Sequence, residues 1–173
     1  MSVEMADQRV ETREEALARL VRKHQSALLR LCCLTLRDAE LARDAVQETF
    51  LKAYGAMGRF RGDCSEKTWL TRIALNVCRD MRRTNWFRYV DRQVTPEELP
   101  RTGQSPDKGV ELSIAISHLP GKLREAVLLY YDEGMTLDEI AEVLHTAKST
   151  VSTRLKQARD RLHIELEGGD DHD

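Results

Sequence analysis

Two stretches of this 173-residue sequence carry the side chains that could do chemistry, and that chemistry is the recognition of nucleic acid. Between Lys148 and His163 stand five bases, Lys148, Arg154, Lys156, Arg159 and Arg161, against the single acid Asp160. Between Arg72 and Arg92 six arginines (72, 79, 82, 83, 88 and 92) meet only Asp80 and Asp91. Each stretch therefore carries +4, five bases less one acid and six less two, on a chain whose formal net charge is −2. Phosphate contact depends on local field and not on overall charge, so such patches suit a DNA-binding surface. Other chemistry is scarce. The sequence has no P-loop, no glycine-rich phosphate cradle and no His/Asp/Glu cluster at metal-ligand spacing. No nucleophile with an acid/base partner can be placed, so the expectation is a protein that is not an enzyme and needs no cofactor.

Composition sets the frame for those patches. Hydrophobic residues make up 41% and aromatics only 5%, with Ala, Leu, Arg and Glu plentiful, which favours helices over sheets. The first twenty residues have no apolar signal core, and no run approaches the roughly 18 apolar residues of a membrane span. A soluble, cytoplasmic protein is expected. Cys32, Cys33, Cys64 and Cys78 form no C-x-x-C pair and read as reduced thiols acting as small packing residues.

The elements that must position the patches follow from apolar spacing and capping. Thr12-Arg13-Glu14-Glu15 fits a capping box, and Leu17, Leu20, Val21, Leu28 and Leu31 continue at helical spacing. Asp38 can cap a second helix with Leu41, Ala42, Ala45, Val46, Thr49, Phe50 and Ala53 inside, ending near Gly55 to Gly58. Its outward row is the acidic strip Asp44, Gln47 and Glu48. After a polar loop, a third helix is predicted from about Ser65 to Thr84. On it Leu70, Ile73, Ala74, Val77 and Met81 share an arc with Trp69, and Arg72, Asn76, Arg79, Arg82 and Arg83 take the opposite arc. One arginine is an ordinary solvated side chain; four on one arc beside an amide point to phosphate and base contact.

From about Val90 to Lys108 periodicity is lost among Pro96, Pro100, Gly103, Ser105 and Pro106, which reads as a linker between domains. The expected fold is all-α: two small helical domains joined by a flexible linker, the second containing a helix-turn-helix. The domains are placed at 10–90 and 109–166, with the linker at 91–108 and an acidic tail at 167–173. The second domain reads as four helices. Val110 to Ser117 comes first. The next runs to about Asp132 with Leu123, Val127, Leu128 and Tyr131 inward, and Gly134 stops it. Thr136-Leu137-Asp138-Glu139 is a second capping box, opening a helix with Leu137, Ile140, Ala141 and Leu144 at i, i+3, i+4 and i+7. After the turn 145–148 the last helix has Val151, Leu155, Ala158 and Leu162 on one face. Short helix, tight turn and longer basic helix make a helix-turn-helix, whose second helix enters a major groove. Ser149, Ser152, Thr153 and Lys156 lie opposite its apolar face and would meet base edges. Lys148, Arg154 and Arg159 flank them and would bind phosphates.

Both halves resemble the extracytoplasmic-function group of sigma-70-type sigma factors. The stretch from Asp44 to Phe50, then Phe60, Thr68-Trp69-Leu70, Arg72-Ile73-Ala74, Asn76, Asp80 and Arg83, is similar to that family's region 2. Leu119-Pro120, Arg124, Glu139-Ile140-Ala141, Thr150-Val151, Arg154-Leu155, Ala158-Arg159 and Leu162 are similar to its region 4. The resemblance implies an alternative sigma factor that binds core RNA polymerase and directs initiation at specific promoters. It implies that Asp44, Gln47 and Glu48 dock the polymerase. Arg72, Asn76, Arg79 and Arg83 would face the −10 element, with the loop Phe60 to Lys67 holding a flipped base. Lys148, Ser149, Ser152, Thr153, Arg154, Lys156 and Arg159 would contact the −35 element. An anti-sigma factor, membrane-bound in many members, is a further implied partner, beside promoter DNA. The chain departs from the family at His145, where Gly is usual, at Ala147, where a small hydroxyl cap is usual, and at Ser152, where Lys is frequent. Thr146 and Ser149 are the other candidates for that cap.

A second reading stands beside this one: a helix-turn-helix regulator that binds duplex DNA without joining polymerase, its first half a dimerisation or sensing domain. Co-purification separates the two, since one predicts a stoichiometric complex with core polymerase and the other a homodimer on palindromic DNA.

Overall fold

The computed structural model describes residues 9–84 and 106–167, which form helices joined by turns and short irregular segments. The N-terminal half is three helices: α1 (Arg13–Leu36), α2 (Ala39–Ala56) and α3 (Glu66–Thr84). The C-terminal half is four: α4 (Pro106–His118), α5 (Gly121–Val127), α6 (Leu137–Val143) and α7 (Lys148–Glu167). The end of the acidic tail and most of the proline-containing joining segment lie outside the described residues, while Pro106 already opens α4.

Local chemistry sets the helix starts. The Thr12 hydroxyl accepts the Glu15 amide at 3.2 Å and the Glu15 carboxylate accepts the Thr12 amide at 3.0 Å, a complete capping box at the head of α1. Asp38 accepts the amides of Glu40 and Leu41 at the head of α2. Between them Arg37 adopts a left-handed conformation (φ 53°), which ends α1 and turns the chain straight into α2. At the head of α3 the Ser65 hydroxyl accepts the Thr68 amide at 3.0 Å. Arg19 of α1 clamps the first turn of α3 by donating to both Glu66 oxygens, at 2.8 and 2.9 Å.

The three helices bury Leu28, Leu31, Leu34, Phe50, Leu70 and Val77 with the inner alanines of α2. Phe60 stacks on Trp69 with ring centroids 4.6 Å apart, closing the loop before α3 over this core. Cys32, Cys33 and Cys78 are buried and in no disulfide. The contact with Cys78, together with burial, pushes the Cys32 thiol well above its ordinary value, so these sulfurs pack as small apolar groups.

Burial on α3 is wider than the apolar arc read from its spacing. Thr71, Leu75 and Cys78 are buried as well: Cys78 lies against Cys32 of α1, and Thr71 faces the C-terminal half. The Thr71 hydroxyl donates to Glu133 at 3.3 Å, and Arg82 pairs with Glu125 at 2.6 Å. On α1, Arg30 pairs with Asp132 at 2.8 Å and donates to Ser113 at 3.1 Å.

The deepest of these links is Arg124, only 1% exposed. Its guanidinium donates to the carbonyls of Ser117 and Leu119 at 2.9 and 3.0 Å, stapling the α4–α5 turn, and reaches the Thr35 carbonyl of α1 at 3.4 Å. In the same half, residues Leu128–Asp132 form a π-helical turn after α5. The extra residue in that turn shifts the register, so Tyr131 is not inward as its spacing predicts but 53% exposed. Glu133 takes the inward position, and Gly134 ends the turn at φ 65°.

Removing Arg124 strands three carbonyls in a dry site, and each orphaned acceptor costs on the order of 1–3 kcal/mol. Arg124→Leu should therefore lose about 3 kcal/mol or more of unfolding free energy, measured from urea midpoints. A loss near zero would show that these contacts do not hold the turn.

Candidate nucleic-acid interface

The helix-turn-helix is built from α6 and α7. Thr136 and Glu139 complete a second capping box, with hydrogen bonds of 3.2 and 2.8 Å. Helix α6 then buries Ile140 and Val143. Its end is tied down by the Thr146 amide, which donates to the Ala141 carbonyl at 2.9 Å. The chain reverses at His145, which holds φ 51° where a glycine would be unstrained. Helix α7 starts at Lys148, and the Val151 amide donates to the Ala147 carbonyl at 3.2 Å. Ala147 thus stands at the cap position, and Ser149 lies inside the first turn rather than capping it.

Helix α7 buries Val151, Leu155 and Ala158. Ser149, Ser152, Thr153 and Lys156 are exposed together on the outer side, and Arg154 is half-buried beside them. The Thr153 hydroxyl donates to the Ser149 carbonyl at 3.0 Å, which leaves its lone pairs facing outward. Lys148 reaches back across the turn to Asp138 at 3.3 Å. Arg159 donates to the Tyr131 hydroxyl at 3.1 Å, the contact that pushes its guanidinium pKa upward. That tyrosine was not among the expected site residues, because the π-turn that brings it outward leaves no trace in 3.6-residue spacing. All seven candidate residues of this half lie on one helix, next to one another on its outer surface or at its flanks.

On α3, Asn76 and Arg83 are exposed and Arg79 and Arg72 are half-buried. Arg79 donates to the Asn76 amide oxygen at 3.2 Å, and Arg83 pairs with Asp80 at 2.7 Å. Arg72 meets Glu142 of α6 at 3.3 Å, which brings the edges of the two candidate surfaces together. Spacing missed the carboxylates opposite this helix, Glu125 and Glu133, since charged residues are ordinarily expected outside. Both are buried, and burial pushes the Glu133 carboxyl above its ordinary range against the opposing pull of Lys67.

On α2, Asp44 and Gln47 are exposed and Glu48 is half-buried. Beside them an apolar groove of about 560 Å³ runs between α1 and α2, lined by Leu17, Val21, Leu29, Val46 and Phe50, with Gln47 at its rim. Leu51, 62% exposed, extends it along α1 towards Tyr54.

Residues 20–88 match the family model for sigma-70 region 2, and residues 110–162 match the model for sigma-70 region 4. The chain belongs to the extracytoplasmic-function sigma-70 family. It is an alternative sigma factor, directing transcription initiation at specific promoters. It is 34% identical over 163 residues to the RNA polymerase sigma-H factor of Pseudomonas aeruginosa, covering 86% of this chain and 84% of that one. It is 31% identical over 168 residues to the sigma factor SigW of Bacillus subtilis, covering 88% and 90%. Among solved structures, CnrH in complex with the cytosolic domain of CnrY matches with a TM-score of 0.68 and 28% identity over 90% of each chain. The sigma factor RpoE of Bartonella quintana, solved with the anti-sigma factor NepR, shares the fold with a TM-score of 0.75 at 21% identity. Its alignment covers 91% of this sigma factor and 99% of that one.

Among the described residues no helix is long and apolar enough to cross a membrane, and no group of His, Cys, Asp or Glu could hold a metal ion.

The turn at His145 sets the angle at which α7 leaves α6. A β-branched residue tolerates positive φ least, so His145→Val should cost about 1–2 kcal/mol while His145→Gly stays within about 1 kcal/mol of the parent. Equal losses in the two variants, read from denaturant midpoints, would show that backbone conformation is not what the position demands.

Proposed function

We propose that this sigma factor reads two promoter elements with its two halves and docks core RNA polymerase by a third surface. The observation that carries this reading is the arrangement of α3 and α7. Each presents one arc of cations and short polar side chains opposite a buried apolar face, and the two lie in different halves. Arg72, Asn76, Arg79 and Arg83 contact the −10 element and assist its melting. Extruding a base costs a few kcal/mol of stacking, which a preorganised cationic face and the adjoining loop at Phe60 to Lys67 offset. Ser149, Ser152, Thr153 and Lys156 meet base edges of the −35 element, while Lys148, Arg154 and Arg159 hold its phosphates. The hydroxyl at Ser152, in place of a cation, removes one phosphate contact and shifts weight to the bases.

Asp44, Gln47 and Glu48 dock the polymerase. The neighbouring apolar groove supports that role, because an exposed apolar strip rimmed by polar side chains is the form of a protein-binding site. The domain division is 10–90 for the −10 and polymerase-binding unit and 109–166 for the −35 unit. Catalysis belongs to the polymerase, so the sigma factor is not an enzyme, and it acts in the cytoplasm where polymerase and promoter are. A membrane-anchored anti-sigma partner is supported by the solved CnrH structure, which holds the cytosolic domain of CnrY.

Transcription in vitro with core polymerase and genomic templates tests the whole reading: new start sites appear only when this protein is added, and none would refute it. The division of labour predicts more. The variant Arg79→Ala with Arg83→Ala should impair open-complex formation, followed by permanganate reactivity, more than Lys156→Ala does. Equal defects in that melting step would contradict the assignment of α3 to the −10 element.

A further inference from the structure

Outside the core, the arginines of this sigma factor are held in two ways. Arg19, Arg30, Arg72, Arg82 and Arg83 each meet a carboxylate, which offsets their charge where they stand. Arg79 and Arg159 are held by neutral oxygens instead, the Asn76 amide at 3.2 Å and the Tyr131 hydroxyl at 3.1 Å. A neutral acceptor fixes where a guanidinium points and leaves its full charge for another anion. Arg79 and Asn76 share one helix. Arg159 and Tyr131 do not, and Tyr131 lies outside the helix-turn-helix altogether.

Tyr131 stands beside Arg159 because of a local change of period. At 3.6 residues per turn its ring belongs inside with Leu123, Val127 and Leu128. The π-helical turn Leu128–Asp132 inserts one residue, and the ring comes out 53% exposed. Such turns are rare and recur at functional sites. Tyr130 supports the ring edge-on, with centroids 4.9 Å apart and planes at 81°. An exposed hydrogen bond of this kind adds little to folding.

The protons of the pair decide what it can bind. Arg159 donates from Nη1 to the phenol oxygen, so that oxygen is the acceptor and its own O–H remains to be given away. The guanidinium keeps its remaining N–H groups. Two donors side by side, with a net positive charge, are the complement of an oxyanion. We propose that Tyr131 belongs to the DNA interface: it positions Arg159 and gives its own hydroxyl proton to the same backbone phosphate of the −35 duplex. This rests on reading α7 as the face that meets the −35 element, and it adds to that face a residue from another element. Phosphate contacts fix register and orientation and carry no base information. The task of the pair is therefore to hold α7 in place while Ser149, Ser152, Thr153 and Lys156 meet bases.

The test uses the holoenzyme reconstituted with core polymerase, and as probe a duplex that the parent holoenzyme selects from random sequence. Tyr131→Phe removes the hydroxyl and leaves the ring against Tyr130, and Arg159→Ala removes the guanidinium. Both single variants and the double variant are compared with the parent by fluorescence anisotropy over a series of salt concentrations. Arg159→Ala should weaken binding and lower the salt slope by about one, as loss of one phosphate-bound cation does. Tyr131→Phe should weaken binding by about three- to tenfold with the salt slope unchanged. Its discrimination against a probe with an altered −35 element should match the parent's. The double variant should lose less than the product of the two single losses, because the hydroxyl acts partly through Arg159. A purely structural bond would lower the urea midpoint of Tyr131→Phe and leave its DNA binding at the parent's level, and that result would overturn the proposal. So would parent-like binding by Arg159→Ala, or single losses that simply multiply. Failure of the underlying reading looks different, and the proposal falls with it: no duplex is selected, or Arg154→Ala and Lys156→Ala bind the selected duplex as tightly as the parent.

Discussion

A helix has one circumference, and α3 divides it among three demands. One arc is apolar and closes the core of the N-terminal half through Leu70, Ala74 and Val77. A second, from Lys67 through Thr71 to Arg82, meets the C-terminal half. What remains is the arc of Arg72, Asn76, Arg79 and Arg83, the surface proposed above to face DNA. Nothing in the N-terminal half can be rotated without breaking this partition, because a turn of α3 by one residue would bury guanidinium groups, and an unpaired buried charge costs several kcal/mol. The capping of α1, α2 and α3 and the Arg19–Glu66 clamp fix that rotation from the ends.

Much of this was legible in the residues. The spacing Thr12 to Glu15 and Thr136 to Glu139 specifies capping boxes because each hydroxyl and carboxylate reaches only the amide three residues away, and both boxes form. The departure at His145 is readable for the same reason: a turn that tight needs positive φ there whatever side chain occupies it, and the backbone takes it. What spacing could not carry is the second side of α3. Leu75 and Cys78 are apolar enough to be buried but fall off the main stripe, and Cys78 becomes core by meeting Cys32 of α1, a pairing between helices that spacing along one helix cannot show. The buried charges Arg124, Glu125 and Glu133 were hidden in the same way, since a charge reads as solvated until its partner is known. Tyr131 was misplaced by the π-turn, a local change of period inside an otherwise regular helix.

The charge map acquires a use from this arrangement. A net charge of −2 hides two basic stretches, and on α3 Arg72 and Arg82 meet Glu142 and Glu125 of the chain's own C-terminal half. The groove between α1 and α2 lies on other helices than the cationic arcs of α3 and α7, so the proposed docking and DNA contacts draw on different side chains.

The central claim is that one chain reads two elements, one with each half. Photo-crosslinking in the assembled holoenzyme tests it most directly, with a photoreactive amino acid placed at position 76 on α3 or at position 156 on α7. Expected are crosslinks from position 76 to the −10 element and from position 156 to the −35 duplex of the same promoter. Crosslinks from both positions to a single element, or from position 76 to the −35 duplex, would contradict it.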